Sequence, residues 1–147
     1  MTDIDSVMNA APVIPVLVVD DIAHARPLAE ALVAGGLPVL EVTLRTPVAL
    51  DVITEMAKVP GAIVGAGTVI SSGDLAAALV AGARFVVSPG ITAALGSAAR
   101  TSGVPFLPGV SSASDIIRAQ EMGFNRLKFF PAVAAGGLPM LRALAAP

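Results

Sequence analysis

The 147-residue sequence contains no cysteine, no tryptophan and no tyrosine, and its single histidine is His24. Without cysteine there can be no disulfide framework and no thiolate metal site. One histidine argues against the usual histidine-rich zinc sites and against a histidine-dependent catalytic triad. Aromatic residues make up only 3% of the chain, so the stacking platforms that hold single-stranded nucleic acid are not expected.

Charged residues are also scarce, at 14% of the sequence, and the net charge is −2. This balance gives the chain no general electrostatic attraction to nucleic acid. The sequence is 55% hydrophobic, yet no charge-free run reaches the about 18 residues that a membrane-spanning helix needs. The acidic N-terminus lacks the basic region of a signal peptide. We therefore expect a cytoplasmic protein that has neither nucleic-acid nor membrane partners.

Apolar, β-rich runs recur along the sequence, and their first residues are 20 to 26 positions apart. The segments between them have helical spacing, as in residues 22–33, where apolar residues recur three and four positions apart. This pattern predicts a six-fold βα repeat whose strands run parallel and are covered on both faces. The six predicted strands are residues 13–19, 39–44, 62–69, 84–88, 104–107 and 127–130.

Two architectures fit such a repeat, a doubly wound open sheet and a closed (β/α) barrel. The dinucleotide fingerprint of many doubly wound folds is absent, because Gly65 and Gly67 are followed by Thr68, Val69 and Ile70 rather than by a third glycine. No phosphate-loop lysine motif occurs either. The sequence therefore argues against a doubly wound nucleotide-binding fold.

Charged residues stand at strand positions of this very apolar chain. Alternate residues of a strand share a face, so Glu41, Thr43 and Arg45 should point the same way, as should Lys128 and Phe130. Buried charges are costly unless they are paired or functional. One interpretation is a structural Glu41–Arg45 ion pair with Lys128 reaching solvent at a strand end. The other is an active site, because parallel α/β folds place their chemistry at the carboxyl ends of strands.

Five motifs in order along the chain resemble those of the 2-keto-3-deoxy-6-phosphogluconate aldolases. Residues 39–46 (VLEVTLRT) are similar to the strand-2 motif of that family, and residues 64–69 (VGAGTV) to the strand-3 motif. Residues 88–90 (SPG) and 108–109 (PG) match the ends of strands 4 and 5. Residues 128–132 (KFFPA) match strand 6, where the family carries its Schiff-base lysine. The resemblance runs from about residue 4 to the end of the sequence.

The resemblance implies a class I aldolase built on a (β/α)8 barrel, of which residues 1–147 would form a single, partial domain. It implies a homotrimer in the cytoplasm and neither metal nor cofactor. The chemistry of the residue types agrees with it, because an amine nucleophile must lose its proton, which apolar surroundings and a nearby cation favour. By resemblance, Lys128 forms the Schiff base, Glu41 is the general acid/base, Arg45 and Thr68 bind the carboxylate of pyruvate, and Pro89 and Phe130 wall the pocket.

The reaction implied is the reversible cleavage of 2-keto-3-deoxy-6-phosphogluconate to pyruvate and glyceraldehyde 3-phosphate, a step of the Entner-Doudoroff pathway of carbohydrate metabolism. The related 2-keto acid 4-hydroxy-2-oxoglutarate is a further expected substrate. Small 2-keto acids, pyruvate among them, are the expected partners.

The chain departs from the family in two respects. It holds about six βα units where the family has eight, and Val133 stands where the resemblance implies an acidic residue. Barrels of this type commonly bind phosphate through the loops after strands 7 and 8. We therefore expect a phosphorylated substrate to gain little over an unphosphorylated one. An alternative remains open at this stage, an inactive fragment or scaffold-like chain of the same family that self-associates through open sheet edges.

Overall fold

The computed structural model describes residues 3–146, along which short strands alternate with helices. A 3-10 turn at Ile22–His24 leads into the second helix. The elements are α1 (Ile4–Asn9), β1 (Val16–Leu17), α2 (Ala25–Ala34), β2 (Val39–Thr43), α3 (Ala49–Met56), β3 (Ile63–Gly67), α4 (Ser72–Val80), β4 (Val86–Val87), α5 (Ala93–Ser102), β5 (Phe106–Leu107), β6 (Gly109–Val110), α6 (Ala113–Glu121), β7 (Lys128–Phe129) and α7 (Gly137–Leu144). The predicted α/β class is confirmed.

All strand pairs are parallel, and each strand from β1 to β5 lies beside the next one in the chain. The longest ladder joins β2 and β3, where Glu41 is in register with Gly65 and Thr43 with Gly67. A doubly wound sheet requires a reversal of strand order. The sequential order shows no such reversal among the described strands, and it has the progression of a barrel.

The predicted fifth strand, residues 104–107, contains β5, and Pro108 separates β5 from a short additional strand, β6, which pairs with a different neighbour. Leu107 in β5 accepts a hydrogen bond from the amide of Ser88, at 3.2 Å, on the β4 side. The carbonyl of Pro108 accepts one from the amide of Lys128, at 2.9 Å, on the β7 side. Residues 106–110 therefore connect the five-stranded ladder to the β6–β7 pair.

One face of the strands, which we define as the inner face, carries Val39, Glu41 and Thr43 of β2. Its apolar part is a small buried cluster in which Val39 packs with Phe85, Val87 and Val7 of α1. Because Val39 begins β2, α1 lies beneath the amino ends of the strands. The opposite face packs against the helices in a larger cluster that includes Leu40, Val42, Ile53, Met56 and Leu95.

Helix α6 begins with a complete capping box. The amide of Asp115 donates to the hydroxyl of Ser112, and the Asp115 carboxylate accepts from the hydroxyl and amide of Ser112 and from the amide of Ser111. The Ser112 hydroxyl is the main reason why the pKa of Asp115 lies below its usual 3.8, although partial burial opposes that shift. The box fixes the loop that follows β6. No helix within residues 3–146 has the length and apolar character needed to cross a membrane.

Candidate active site

Lys128 and Glu41 meet on the inner face, although 87 positions separate them in the chain. Lys128 is the first residue of β7, and Glu41 is the middle residue of β2. The ammonium group Nζ of Lys128 donates to Oε1 of Glu41 at 3.2 Å and to Oε2 at 3.4 Å. The fold therefore brings together the two residues that the sequence predicts as nucleophile and general acid/base.

The surroundings of this pair are apolar on one side and open on the other. Nζ of Lys128 lies 5.2 Å from the centre of the Phe130 ring. The side chain of Glu41 is only 6% exposed, whereas that of Lys128 is 26% exposed. A small molecule can thus reach the amine, while the carboxylate behind it is shielded from solvent.

The chain has only two lysines, Lys58 and Lys128. Lys58 follows α3, where it is half-exposed and pairs with Glu55 one helical turn away. Its ammonium group lies on the surface beside solvent. Only Lys128 is therefore placed both against a buried carboxylate and within reach of a ligand.

The predicted Glu41–Arg45 ion pair, which is one of the two interpretations of the sequence, is wrong. No ion pair joins these residues in the described part of the chain, and the partner of Glu41 is Lys128. Strand β2 ends at Thr43, whose hydroxyl donates to the carbonyl of Leu17 at 2.9 Å. Arg45 lies in the turn beyond it and is exposed. The alternation of a strand does not continue through that turn, so a shared face with Glu41 cannot be assumed.

Three further predicted residues follow the carboxyl ends of their strands. Thr68 comes directly after β3 and is half-buried, with a φ of 59°. This left-handed conformation costs a threonine about 1–3 kcal/mol, and such strain is often found at ligand-binding positions. Pro89 follows β4 by two residues and is half-buried, and Phe130 directly follows β7. Of these three, Phe130 is the one whose side chain lies against the Lys128 ammonium group.

Sequence reasoning missed two residues that shape the site, Gly67 and Phe85. A Cβ atom on Gly67 would lie 2.8 Å from Cγ of Glu41 and 2.9 Å from its Cδ. The Phe85 ring covers Gly65 in the same way, because a Cβ there would lie 2.5 Å from three of its ring atoms. Two glycines on alternate positions of a strand, beside a strand that carries a buried glutamate, are the signal that could have identified Gly67.

No group of three or more histidine, cysteine, aspartate or glutamate side chains comes together within residues 3–146 in a way that could hold a metal ion. The described site offers an amine, a carboxylate and an aromatic wall. These groups can form and break a bond between nitrogen and a carbonyl carbon, and they can move protons beside it.

Comparison with known proteins identifies the family. The family model "KDPG and KHG aldolase" matches residues 4–147. The 2-dehydro-3-deoxy-phosphogluconate aldolase of Zymomonas mobilis is 58% identical over 145 residues, which are 99% of this chain and 70% of that protein. The KHG/KDPG aldolase of Escherichia coli K12 is 49% identical over 147 residues, 99% of this chain and 69% of that protein.

A solved structure agrees with these matches. The KDPG aldolase of Legionella pneumophila, described with pyruvate captured at low pH as a covalent carbinolamine intermediate, superposes with a TM-score of 0.94. It is 50% identical, and the match covers 97% of this chain and 70% of that one. The predicted barrel-type α/β fold is thereby confirmed, and the chain spans about 70% of the length of these relatives. This chain belongs to the KDPG and KHG aldolase family.

Proposed function

We propose that this chain is a class I aldolase, a lyase that cleaves 2-keto-3-deoxy-6-phosphogluconate to pyruvate and glyceraldehyde 3-phosphate through a Schiff base on Lys128. The observation that carries the proposal is the contact between Nζ of Lys128 and the buried carboxylate of Glu41. The family membership supports it, since several relatives bear the name of that aldolase. The second substrate proposed is 4-hydroxy-2-oxoglutarate, which has the same 2-keto-4-hydroxy arrangement.

The ion pair can generate its own nucleophile. Transfer of one proton from Nζ of Lys128 to Glu41 leaves a neutral amine beside a protonated carboxyl group. The amine attacks C2 of the keto acid, and the carbonyl oxygen takes up a proton to give a carbinolamine. Glu41 gives its proton to that oxygen, which leaves as water, so that Glu41 is again a carboxylate and Nζ is joined to C2 by the double bond of an iminium ion.

The iminium ion then accepts the electrons of the bond that breaks. Glu41, as carboxylate, removes the proton from the hydroxyl group on C4, directly or through a water molecule. The C3–C4 bond breaks, the aldehyde leaves, and the electron pair becomes the double bond of an enamine. Glu41 returns its proton to C3, and water hydrolyses the resulting iminium ion to release pyruvate and free Lys128.

The remaining site residues have proposed binding roles. Arg45 offers a planar pair of N–H groups that suits a carboxylate, and it lies at the carboxyl end of β2 on the solvent side. Thr68, at the end of β3, would hold the same carboxylate. Pro89 and Phe130 would form apolar walls. We further propose a cytoplasmic homotrimer acting in the Entner-Doudoroff pathway, which the family resemblance supports.

Reductive trapping tests the proposal. The 147-residue chain is incubated with pyruvate and borohydride, and the product is examined by intact mass and peptide mapping. We expect one reduced pyruvate adduct, on Lys128. Lys128→Ala should abolish the adduct and the retro-aldol activity, whereas Lys58→Ala should retain both, because Lys58 lies on the surface away from Glu41.

The alternative is an inactive, scaffold-like chain of the same family, which needs only apolar faces and open strand edges. An internal lysine–glutamate contact contributes nothing that such a scaffold requires, so the observed pair favours the enzyme. Absence of an adduct, in a folded chain and with a full-length relative labelled in parallel, would contradict the proposed function and favour the scaffold.

A further inference from the structure

The space that Glu41 occupies exists because residue 67 has no side chain. Gly67 ends β3 on the inner face, and the carboxylate of Glu41 extends from β2 across it. A Cβ atom on Gly67 would lie 2.8 Å from Cγ and 2.9 Å from Cδ of Glu41, and it would be closer still to Oε1. Non-bonded carbon atoms in proteins do not lie this close to each other, so one of the two residues would have to move. Glu41 can therefore keep its observed position only if residue 67 is glycine.

The neighbouring space on β3 is already filled. The Phe85 ring covers Gly65, and Phe85 is only 1% exposed. Gly65 is the residue in register with Glu41. The glutamate side chain therefore cannot move toward the amino end of β3 without displacing a tightly packed ring, because protein interiors leave few gaps of that size.

We propose that Gly67 is a positioning residue of the aldolase, holding the Glu41 carboxylate at Nζ of Lys128 by leaving its own side-chain space free. This inference rests on the proposed function, because it assumes that Glu41 transfers protons at Lys128. Alanine at position 67 has to displace something, and the end of a flexible glutamate side chain yields more easily than strand backbone. The strand should survive this change, while the contact between Glu41 and Lys128 should be lost.

Gly65 provides the contrast. Alanine at position 65 would meet a buried aromatic ring instead of a flexible chain. It should destabilise the fold through overpacking, as a clear fall in the urea concentration at the unfolding midpoint, because the three atoms nearest to its Cβ all belong to the Phe85 ring. Gly65→Ala should therefore mainly lower stability, whereas Gly67→Ala, two residues away on the same face of the strand, should mainly slow proton transfer.

Hydrogen–deuterium exchange of the pyruvate methyl group in D2O isolates the step in question. The exchange requires an iminium ion on Lys128 and a base that removes a proton from C3, and it needs no aldehyde or phosphate. For Gly67→Ala we expect the exchange rate per folded molecule to fall about 100-fold or more, the typical contribution of a positioned acid–base group. The midpoint of urea unfolding should stay close to that of the unaltered chain.

Two controls accompany this variant. Gly73→Ala makes the same chemical change in α4, where the nearest atom to the new Cβ is Oγ of Ser71 at an ordinary 3.6 Å; its exchange rate should match the unaltered chain. Gly65→Ala should lower the unfolding midpoint clearly, and its exchange rate per folded molecule should fall less than that of Gly67→Ala.

Glu41→Ala distinguishes positioning from a general structural effect. It removes Cγ, Cδ and the carboxylate, which are the atoms that a Cβ at position 67 would meet within 3 Å. Introducing Gly67→Ala into the Glu41→Ala chain should therefore reduce the remaining exchange far less than it does with Glu41 present, which a double-mutant cycle measures.

Three outcomes would overturn the inference. The first is an exchange rate unchanged by Gly67→Ala. The second is a proportional loss on Gly67→Ala that is equally large in the Glu41→Ala chain and in the chain that keeps Glu41. The third is unfolding of Gly67→Ala to the extent seen for Gly65→Ala, which would make Gly67 a packing residue. If the unaltered, folded chain neither exchanges the methyl protons nor gives a borohydride adduct, the proposed function itself is wrong.

Discussion

The Lys128–Glu41 pair is unequal, and its two halves should contribute differently to stability. The Glu41 side chain is 6% exposed and that of Lys128 is 26% exposed. Lys128 is the side chain seen to donate hydrogen bonds to the Glu41 carboxylate within residues 3–146. Loss of the lysine leaves a shielded carboxylate unpaired. Loss of the glutamate leaves an ammonium group that can turn toward water.

The magnitudes follow from these exposures. Removing one partner of a fully buried ion pair costs about 3–5 kcal/mol. Because the Lys128 side chain is one-quarter exposed, water can enter the gap that it leaves, and we expect Lys128→Met to lower the free energy of unfolding by about 1–3 kcal/mol. Glu41→Gln keeps the volume and leaves the lysine to solvent, so its cost should be below about 1 kcal/mol. The double variant should recover much of the loss caused by Lys128→Met.

Urea unfolding followed by circular dichroism measures these differences, provided that the dependence of free energy on urea is the same for all variants. Lys58→Met is the matched control, because it makes the same substitution in a pair whose lysine is 53% exposed. It should cost no more than about 1 kcal/mol. Equal losses for Lys128→Met and Lys58→Met would refute the reasoning that the Glu41 carboxylate depends on its partner.

Two further predictions concern the packing of α1 and the capping box of α6. Val7→Ala should lower the free energy of unfolding by about 2 kcal/mol. Val7 is only 1% exposed, and each buried carbon contributes about 0.8 kcal/mol before the cavity is counted. If urea unfolding shows a loss below about 0.5 kcal/mol, α1 is not packed against the inner face. Asp115→Asn should be destabilising at neutral pH and less so in acid. The lowered pKa of Asp115 means that its carboxylate stabilises the fold above the usual 3.8 and that this contribution is lost as the pH falls through the folded-state value. Thermal unfolding across that range checks it, and a stability difference independent of pH would contradict it.

Much of the fold could be predicted because its boundaries depend on local chemistry. Gly103 adopts a φ of 69° at the end of α5, a conformation that glycine reaches without strain, so its position marks the end of a helix. The sequence predicts a helix start at Ser111 or Ser112, and Ser112 caps α6. The sequence predicts that α4 starts at Ser72 or Gly73, and this prediction is wrong, since Ser71 is the cap. Neighbouring serines have the same capping chemistry, and only the backbone angles distinguish them.

The strand lengths could be predicted less well for a reason that is not local. The first predicted strand, residues 13–19, contains a ladder of only two residues, Val16 and Leu17. An apolar run indicates burial, and it does not reveal how many of its residues have a partner strand in register. The fifth predicted strand, residues 104–107, likewise does not reveal β6, which lies beyond Pro108, a residue whose nitrogen carries no hydrogen to donate.

The face on which Glu41 lies could be predicted from the sequence, and the partner of Glu41 could not. Period-two alternation correctly assigned Glu41 to one face of β2, because that rule depends on the pleat of a single strand. The partner of Glu41 depends on how far each strand extends and on what crosses the inner face. Arg45, four residues away in sequence, lies in a turn on the solvent side, whereas Lys128, 87 positions away, is in contact.

The position of Gly67 beside β2 carries information that its residue type alone does not. In isolation, Gly65 and Gly67 resemble an incomplete nucleotide-binding fingerprint, and that comparison argues against a nucleotide site. Once the β2–β3 register is known, the two glycines stand beside Glu41 and Thr43, where a side chain would have to share space with a carboxylate or with Phe85. A glycine on a buried strand face can therefore indicate that a neighbouring side chain occupies the space where its own side chain would lie. Here that neighbour is the proposed general acid/base, so the smallest residue of the strand determines where the proton transfer takes place.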